Sequence, residues 1–339
     1  GGILERRFGS EKVPLYLGSI MFGLGFVGAS FARGNIVLFT VFFFIAGFGV
    51  ALMDSMTLPI ATSWAPDKPG LAVGIARAGF GLASLYAAPL FNYMFSVYGF
   101  EQGLRIIGIA YLVAALALAV VTKRNPAAAK NQSYGGIREG LREVLYKKCF
   151  WIVWILYFTG LVTPLAVVGY TKQIGVELAG IDPGLLAYMI AGFSVFNGLG
   201  RVLYGKIIDL KGFRYSAVQA YTLTIIALAM ICLYPSPSTF IVSFALLYMH
   251  LGGWLVIAPT EIRRVAGAEN YSLSWPLLMT GYGTAVFVGT IVTGSIRDVF
   301  GSYQPLFPLA IALIISLGMT SLHLLYTKQC RYRHPTSHM

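Results

Sequence analysis

The residue best suited to chemistry is Arg201, in the stretch NGLGRVLYGKIIDLKGFR (197–214). It interrupts an apolar run long enough to cross a bilayer. A charged side chain at that depth costs on the order of 2.5–3.5 kcal/mol on insertion scales, so an intramembrane arginine is a functional candidate. Its planar fork matches a carboxylate bidentately. Snorkelling is the structural alternative, because Lys206 follows about one turn later. Asn197 lies one turn earlier on the same helix face and can hydrogen-bond but not titrate. Tyr282, in LMTGYGTAV (278–286), offers one hydrogen bond and no cation. His250 and Trp254 are spaced i,i+4 around Gly252 and Gly253. They would present two rings to a cavity, or pack as core. Asp54 and Arg77 are the other charges at membrane depth. Equal depth on consecutive spans makes them a structural or gating pair, since unpaired charges there are rare.

Other chemistries find no pattern. The three cysteines (Cys149, Cys232, Cys330) are too scattered for a disulfide framework, and the four histidines lack ligand spacing. No metal site, cofactor or enzyme activity is expected. GLGR is not followed by GK[ST], so it is not part of a P-loop. The glycines of GFGLAS (79–84) suit close helix packing in lipid rather than phosphate binding.

The elements that must position these residues are membrane helices. The chain has 339 residues, is 57% hydrophobic and only 11% charged, where soluble domains are about a quarter charged. Mean hydropathy is +0.73. Apolar runs of about spanning length predict ten helices: 13–31, 36–62, 71–96, 104–122, 150–171, 184–207, 215–235, 238–260, 274–296 and 305–327. Continuous runs, not alternating ones, exclude a β-barrel. With residues 1–12 taken as cytoplasmic, 19 of the 25 lysines and arginines fall on the cytoplasmic side. Arg33, Arg105, Lys172 and Arg297 fall on the other. This positive-inside split accounts for the net charge of +12 without a nucleic-acid partner, and puts both ends of the segment in the cytoplasm. Four spans (1–122) precede a basic linker (123–149), six follow (150–327), and a tail (328–339) ends the chain. Within the linker, 137–146 reads as an amphipathic helix on the membrane surface.

Two stretches resemble the loop signature of the major facilitator superfamily, Gly-x-x-x-Asp-Arg-x-Gly-Arg-Arg: GGILERRFGSEKV (1–13) and GKIIDLKGFR (205–214). The second keeps Gly205, Asp209, Lys211, Gly212 and Arg214, with Leu210 where Arg is usual. The first is degraded: Arg6 stands at the acid's place, with Glu5 beside it. The resemblance implies that fold, with ten of its twelve helices (spans 3–12) here and two expected before Gly1. WAPDKPGLAVGIARAGFGLASLYAAPL (64–90), NGLGR (197–201), PTEIRRVAGAENY (259–271) and GSIRDVFGSY (294–303) are similar to segments of the oxalate/formate antiporter and monocarboxylate transporter families.

That resemblance implies a secondary transporter of small organic anions working by alternating access, with Arg201 on the anion. Asn197 stands where monocarboxylate transporters hold a coupling aspartate, and Tyr282 where oxalate transporters resemble it with a lysine. One cation favours a monocarboxylate over a dicarboxylate. The resemblance gives Asp209 a helix-capping, inner-gate role, physically reasonable for a carboxylate at a positive helix end. The expected partners are the bilayer, a small carboxylate, and a coupling proton or counter-anion. The protein is expected to act as a monomer, in a plasma or organelle membrane that the residues do not distinguish. The competing readings are a non-transporting sensor or scaffold on the same fold, and an inactive truncated product.

Overall fold

The structure, a computed structural model, describes residues 1–127 and 136–327, without the side chains of residues 84, 88, 326 and 327. The tail 328–339 and the middle of the linker therefore lie outside the described residues. Those residues form helices and no strand. In order these are α1 (Gly2–Phe8), α2 (Lys12–Ala29), α3 (Ile36–Trp64), α4 (Pro69–Val121), α5 (Ile137–Tyr146), α6 (Lys148–Val168) and α7 (Thr171–Ala179). Then follow α8 (Pro183–Leu233), α9 (Pro237–Ala266), α10 (Tyr271–Phe300) and α11 (Leu306–Leu313), which runs through a π-helical turn (Ile314–Met319) into α12 (Thr320–Thr327).

Local chemistry sets the helix starts. The Asn35 side chain accepts from the N–H groups of Val37 and Leu38 and opens α3. Asp182 accepts from Gly184 and Leu185 ahead of α8, with Pro183 in its first turn. Ser236 and Thr239 form a reciprocal capping box at α9, with Pro237 between them. Each arrangement satisfies donors that a helix start leaves unpaired.

Among the described residues, nine stretches are long and apolar enough to cross a membrane. One of them, Pro183–Leu233, has 51 residues and bends at Gly212 (φ 78°), so it supplies two spans. Similarly, α4 bends at Gly99 (φ 74°) between the third and fourth predicted spans, 71–96 and 104–122. The ten predicted spans are all present. Two details differ from the sequence reading. Residues 205–211 are helical rather than loop, because only Gly212 takes up a conformation that side chains resist. And α5 forms at 137–146, but Gly140 and Val144 on its apolar face are buried by the chain itself.

The described chain divides into two compact units. The first comprises Gly1–Pro66, Ala83–Leu141 and Glu269–Pro276; the second comprises Asp67–Leu82, Arg142–Ala268 and the described residues from Leu277 on. In the first, α2 and α3 pack closely: a Cβ on Gly18 would lie 2.6 Å from the Gly49 carbonyl oxygen. A chain of aromatic rings joins Phe22, Phe26, Phe43 and Phe39 there. In the second, Trp254 is fully buried between the backbone of Gly160 and the ring of Tyr221, 4.7 Å away.

Candidate substrate-binding site

Arg201 lies in the middle of the first arm of α8, 6% exposed. Side chains on a helix lean towards its N-terminus. Accordingly, Arg201 Nε donates back to Asn197 Oδ1 at 3.0 Å, and Nη1 donates to the backbone carbonyl of Arg77 at 2.6 Å. The guanidinium thus points away from Lys206, so it does not snorkel. It is fixed in place by charge-assisted bonds, which are stronger than neutral ones.

Backbone proximity makes the Arg77 bond possible. A Cβ on Gly74 would stand 2.5 Å from the Arg201 carbonyl oxygen, and one on Gly81 would stand 2.7 Å from the Gly198 Cα. The same seam continues to Gly70 and Gly205, where a Cβ would strike the partner's carbonyl oxygen. The spacing Gly70-x-x-x-Gly74-x-x-x-Ala78 was the available signal for this small-residue seam. It does not reveal that the acceptor for Arg201 would be a main-chain oxygen. On the opposite side of α8, a Cβ on Gly252 of α9 would collide with the Asn197 carbonyl and lie 3.2 Å from Arg201 Cγ.

The other predicted residues are placed as follows. Asn197 is 8% exposed, beside Arg201. Tyr282 is half-buried on α10, in the same unit as Arg201. His250 and Trp254 are both 0% exposed, enclosed by neighbouring helices. His250 meets the Tyr204 ring edge-on, and Trp254 meets Tyr221. Asp54 belongs to the first unit, where its Oδ2 accepts from Trp275 Nε1 at 3.3 Å. Arg77 belongs to the second, its guanidinium 5.4 Å from the Phe80 ring centre. Two open hollows, of about 290 Å³ beside Arg33 and Glu101 and about 650 Å³ beside Lys172 and Arg297, do not reach Arg201. In the second, Arg297 pairs with Glu177 at 2.9 Å.

Asp209 is helical, on the last turn before the Gly212 bend. Its Oδ1 accepts from the Gly70 N–H and its Oδ2 from the Leu71 N–H, both at 2.8 Å. A carboxylate at the end of the first α8 arm thus caps the start of α4, where the helix dipole is positive. Gly205, one turn earlier, gives the close approach; Arg214 is exposed beyond the bend. Asp209→Ala is expected to cost about 1 kcal/mol, the usual value of a helix cap. Thermal unfolding of the purified protein checks this, and an unchanged midpoint would exclude the capping energy.

Long apolar helices, with a guanidinium buried among them, are those of an integral, multi-pass membrane protein. Residues 1–266 match the Major Facilitator Superfamily, and the chain belongs to it. The oxalate:formate antiporter of Oxalobacter formigenes is 26% identical over 301 residues, covering 84% of this chain and 71% of the antiporter. Monocarboxylate transporter 13 of Bos taurus is 26% identical over 327 residues, covering 93% and 74%. The uncharacterized MFS-type transporter YhjX of Escherichia coli is 25% identical over 289 residues, covering 83% and 71%. Among solved structures, the transporter FucP in its outward conformation superposes with a TM-score of 0.74 at 15% identity, covering 94% of this chain and 85% of FucP. That likeness is one of fold. The family and fold are those of membrane transporters rather than enzymes.

Proposed function

We propose that the protein is a secondary transporter of small monocarboxylates, working by alternating access, with Arg201 as the group that grips the carboxylate. The observation that carries this is the guanidinium itself: buried in a spanning helix and oriented by Asn197 and the Arg77 carbonyl. A cation fixed before its ligand arrives loses little freedom on binding. Its fork matches the two oxygens of a carboxylate. Tyr282, uncharged and half-buried in the same unit, adds a hydrogen bond but no second cation, which favours a single negative charge on the substrate. Trp254, fully buried against Gly160 and Tyr221, serves as packing in this reading rather than as cavity lining. Asp209, Gly205, Gly212 and Arg214 serve the gate, with Asp54 and Arg77 as charges tuned for its movement, and the basic helix ends face the cytoplasm.

Similarity to the oxalate:formate antiporter and to monocarboxylate transporter 13 supports this reading. The test is uptake into proteoliposomes of labelled formate, lactate, pyruvate and oxalate. Saturable uptake of the first three, inhibited weakly by oxalate, is expected. A preference for oxalate would overturn the monocarboxylate assignment. Binding without flux would select the sensor reading, which the arginine at the place of the first signature's acid favours.

A further inference from the structure

The carboxylate site does not account for His250 and Tyr204. Neither ring nitrogen of His250 has a hydrogen-bond partner among the described residues, nor does the Tyr204 hydroxyl. Their residues are 0% and 1% exposed. The two rings meet edge to face, their centres 5.8 Å apart. A buried polar atom left unbonded costs about 1–3 kcal/mol, and here three lie on one pair of touching rings. Packing does not require this arrangement, since phenylalanine would fill either place without the cost. Unsatisfied groups of this kind mark an ion, water or catalytic site.

The choice of ligand is narrow. No group of three metal-binding side chains occurs among the described residues. Neither of the two hollows described above reaches the pair to offer an organic ligand room. A proton needs none. Imidazole is the side chain whose ordinary titration falls nearest neutrality.

The position ties the pair to Arg201. A Cβ on Gly200 would strike the Met249 carbonyl, one on Gly252 the Asn197 carbonyl, and one on Gly253 would lie 2.5 Å from the Tyr204 ring. His250 therefore sits in the same helix crossing as Asn197 and Arg201. The groups towards it are known by element. On α8 they are Tyr204 and, one turn before it, Arg201; the acid of that helix, Asp209, is bonded to the start of α4. The α6 helix carries no carboxylate, and its Tyr157 hydroxyl goes to Met279. On α7, Glu177 is held by Arg297, Ser302 and Tyr303. On α9 itself, the Tyr248 hydroxyl bonds Thr171, and Glu261 pairs with Arg264.

We propose that His250, packed edge-on against Tyr204, is a proton-binding site that couples proton uptake to anion binding at Arg201. This rests on Arg201 as the carboxylate site. The proton enters from water onto an imidazole lone pair and leaves the same way; no other bond forms or breaks. A carboxylate at Arg201 favours a positive charge on the neighbouring ring, and that charge favours the carboxylate by the same factor. His250 so supplies the titratable group that Asn197 cannot.

The test uses purified protein in weakly buffered detergent with a pH-reporting dye. On adding formate, lactate or pyruvate, wild type is expected to take up about one proton per anion bound. His250→Gln should bind more weakly with uptake reduced about tenfold, and Tyr204→Phe should fall between. Anion binding by wild type without proton uptake overturns the proposal, as does undiminished uptake by His250→Gln. Infrared titration of ring-labelled histidine, with His250→Asn as a second variant, reads the imidazole directly. It decides the proton site even if none of these anions binds, a result that would sink the Arg201 reading instead. A His250 ring that keeps one protonation state across roughly pH 4–9 overturns the proton site.

Discussion

Arg201→Gln is expected to lower carboxylate uptake more than about 100-fold, and Arg201→Lys to recover little of it. Truncating one partner of a buried, hydrogen-bonded charge pair costs about 2–5 kcal/mol, and each 1.4 kcal/mol is about tenfold. The lysine variant carries the argument. It keeps the charge but loses the fork: the two bonds now made by Nε and Nη1, to Asn197 and to the Arg77 carbonyl, need two nitrogens held in one plane. A lysine ammonium is a point donor and can replace one bond of the two. Long-range attraction would survive in Arg201→Lys, so apparent affinity should show weaker salt dependence of loss than in Arg201→Gln. Initial rates in proteoliposomes over a range of substrate concentration check this. Uptake within threefold of wild type for either variant would remove Arg201 from the site, and leave its two bonds as a purely structural link between α8 and α4.

The sequence carried the spans because bilayer thickness imposes one length and one composition on each of them. It singled out Arg201 as a candidate because an unaided guanidinium is expensive in hydrocarbon. It did not carry the acceptor. The Arg77 carbonyl has no sequence signal: any residue at 77 presents the same oxygen, and only the approach of Gly74 to the Arg201 backbone makes it reachable. The bend at Gly212 was hidden for a related reason. GKIIDLKGFR is polar enough to read as a loop, but a helix with one positive-φ glycine keeps its backbone bonds and places Asp209 on the cap of α4. Tyr204 carries no signal in the sequence, because a tyrosine at helical spacing looks like core. Its significance depends on the absence of a partner for its hydroxyl among the described residues, which only coordinates reveal.

Glu5→Ala is expected to destabilise the first unit by about 3–5 kcal/mol, the cost of leaving one member of a buried pair behind. Glu5 is fully buried and its Oε1 lies 2.7 Å from Arg124 Nη2, whose side chain is 3% exposed. The pair ties α1 to the segment that follows α4. Around it, Lys12 Nζ donates to the carbonyls of Ala119 and Val120 at 2.7 Å, where the helix end is negative. Arg6, next to Glu5, turns elsewhere: its Nη2 donates to the Glu269 carbonyl and Asn270 Oδ1, both at 2.8 Å, just ahead of α10. Gly140 of α5 covers this contact, since a Cβ there would stand 2.5 Å from Arg6 Nη1. The degraded first signature is thus divided between two neighbours, with the acid serving Arg124 and the arginine at the acid's usual place serving α10. A double exchange separates the pair from its surroundings. Glu5→Leu with Arg124→Met removes both charges and should recover most of the loss, because a buried pair replaced by apolar groups is often neutral. Thermal unfolding of wild type, Glu5→Leu, Arg124→Met and the double variant in detergent measures the cycle. A double variant no more stable than Glu5→Leu would mean that Arg124 is needed for its other contacts rather than for Glu5.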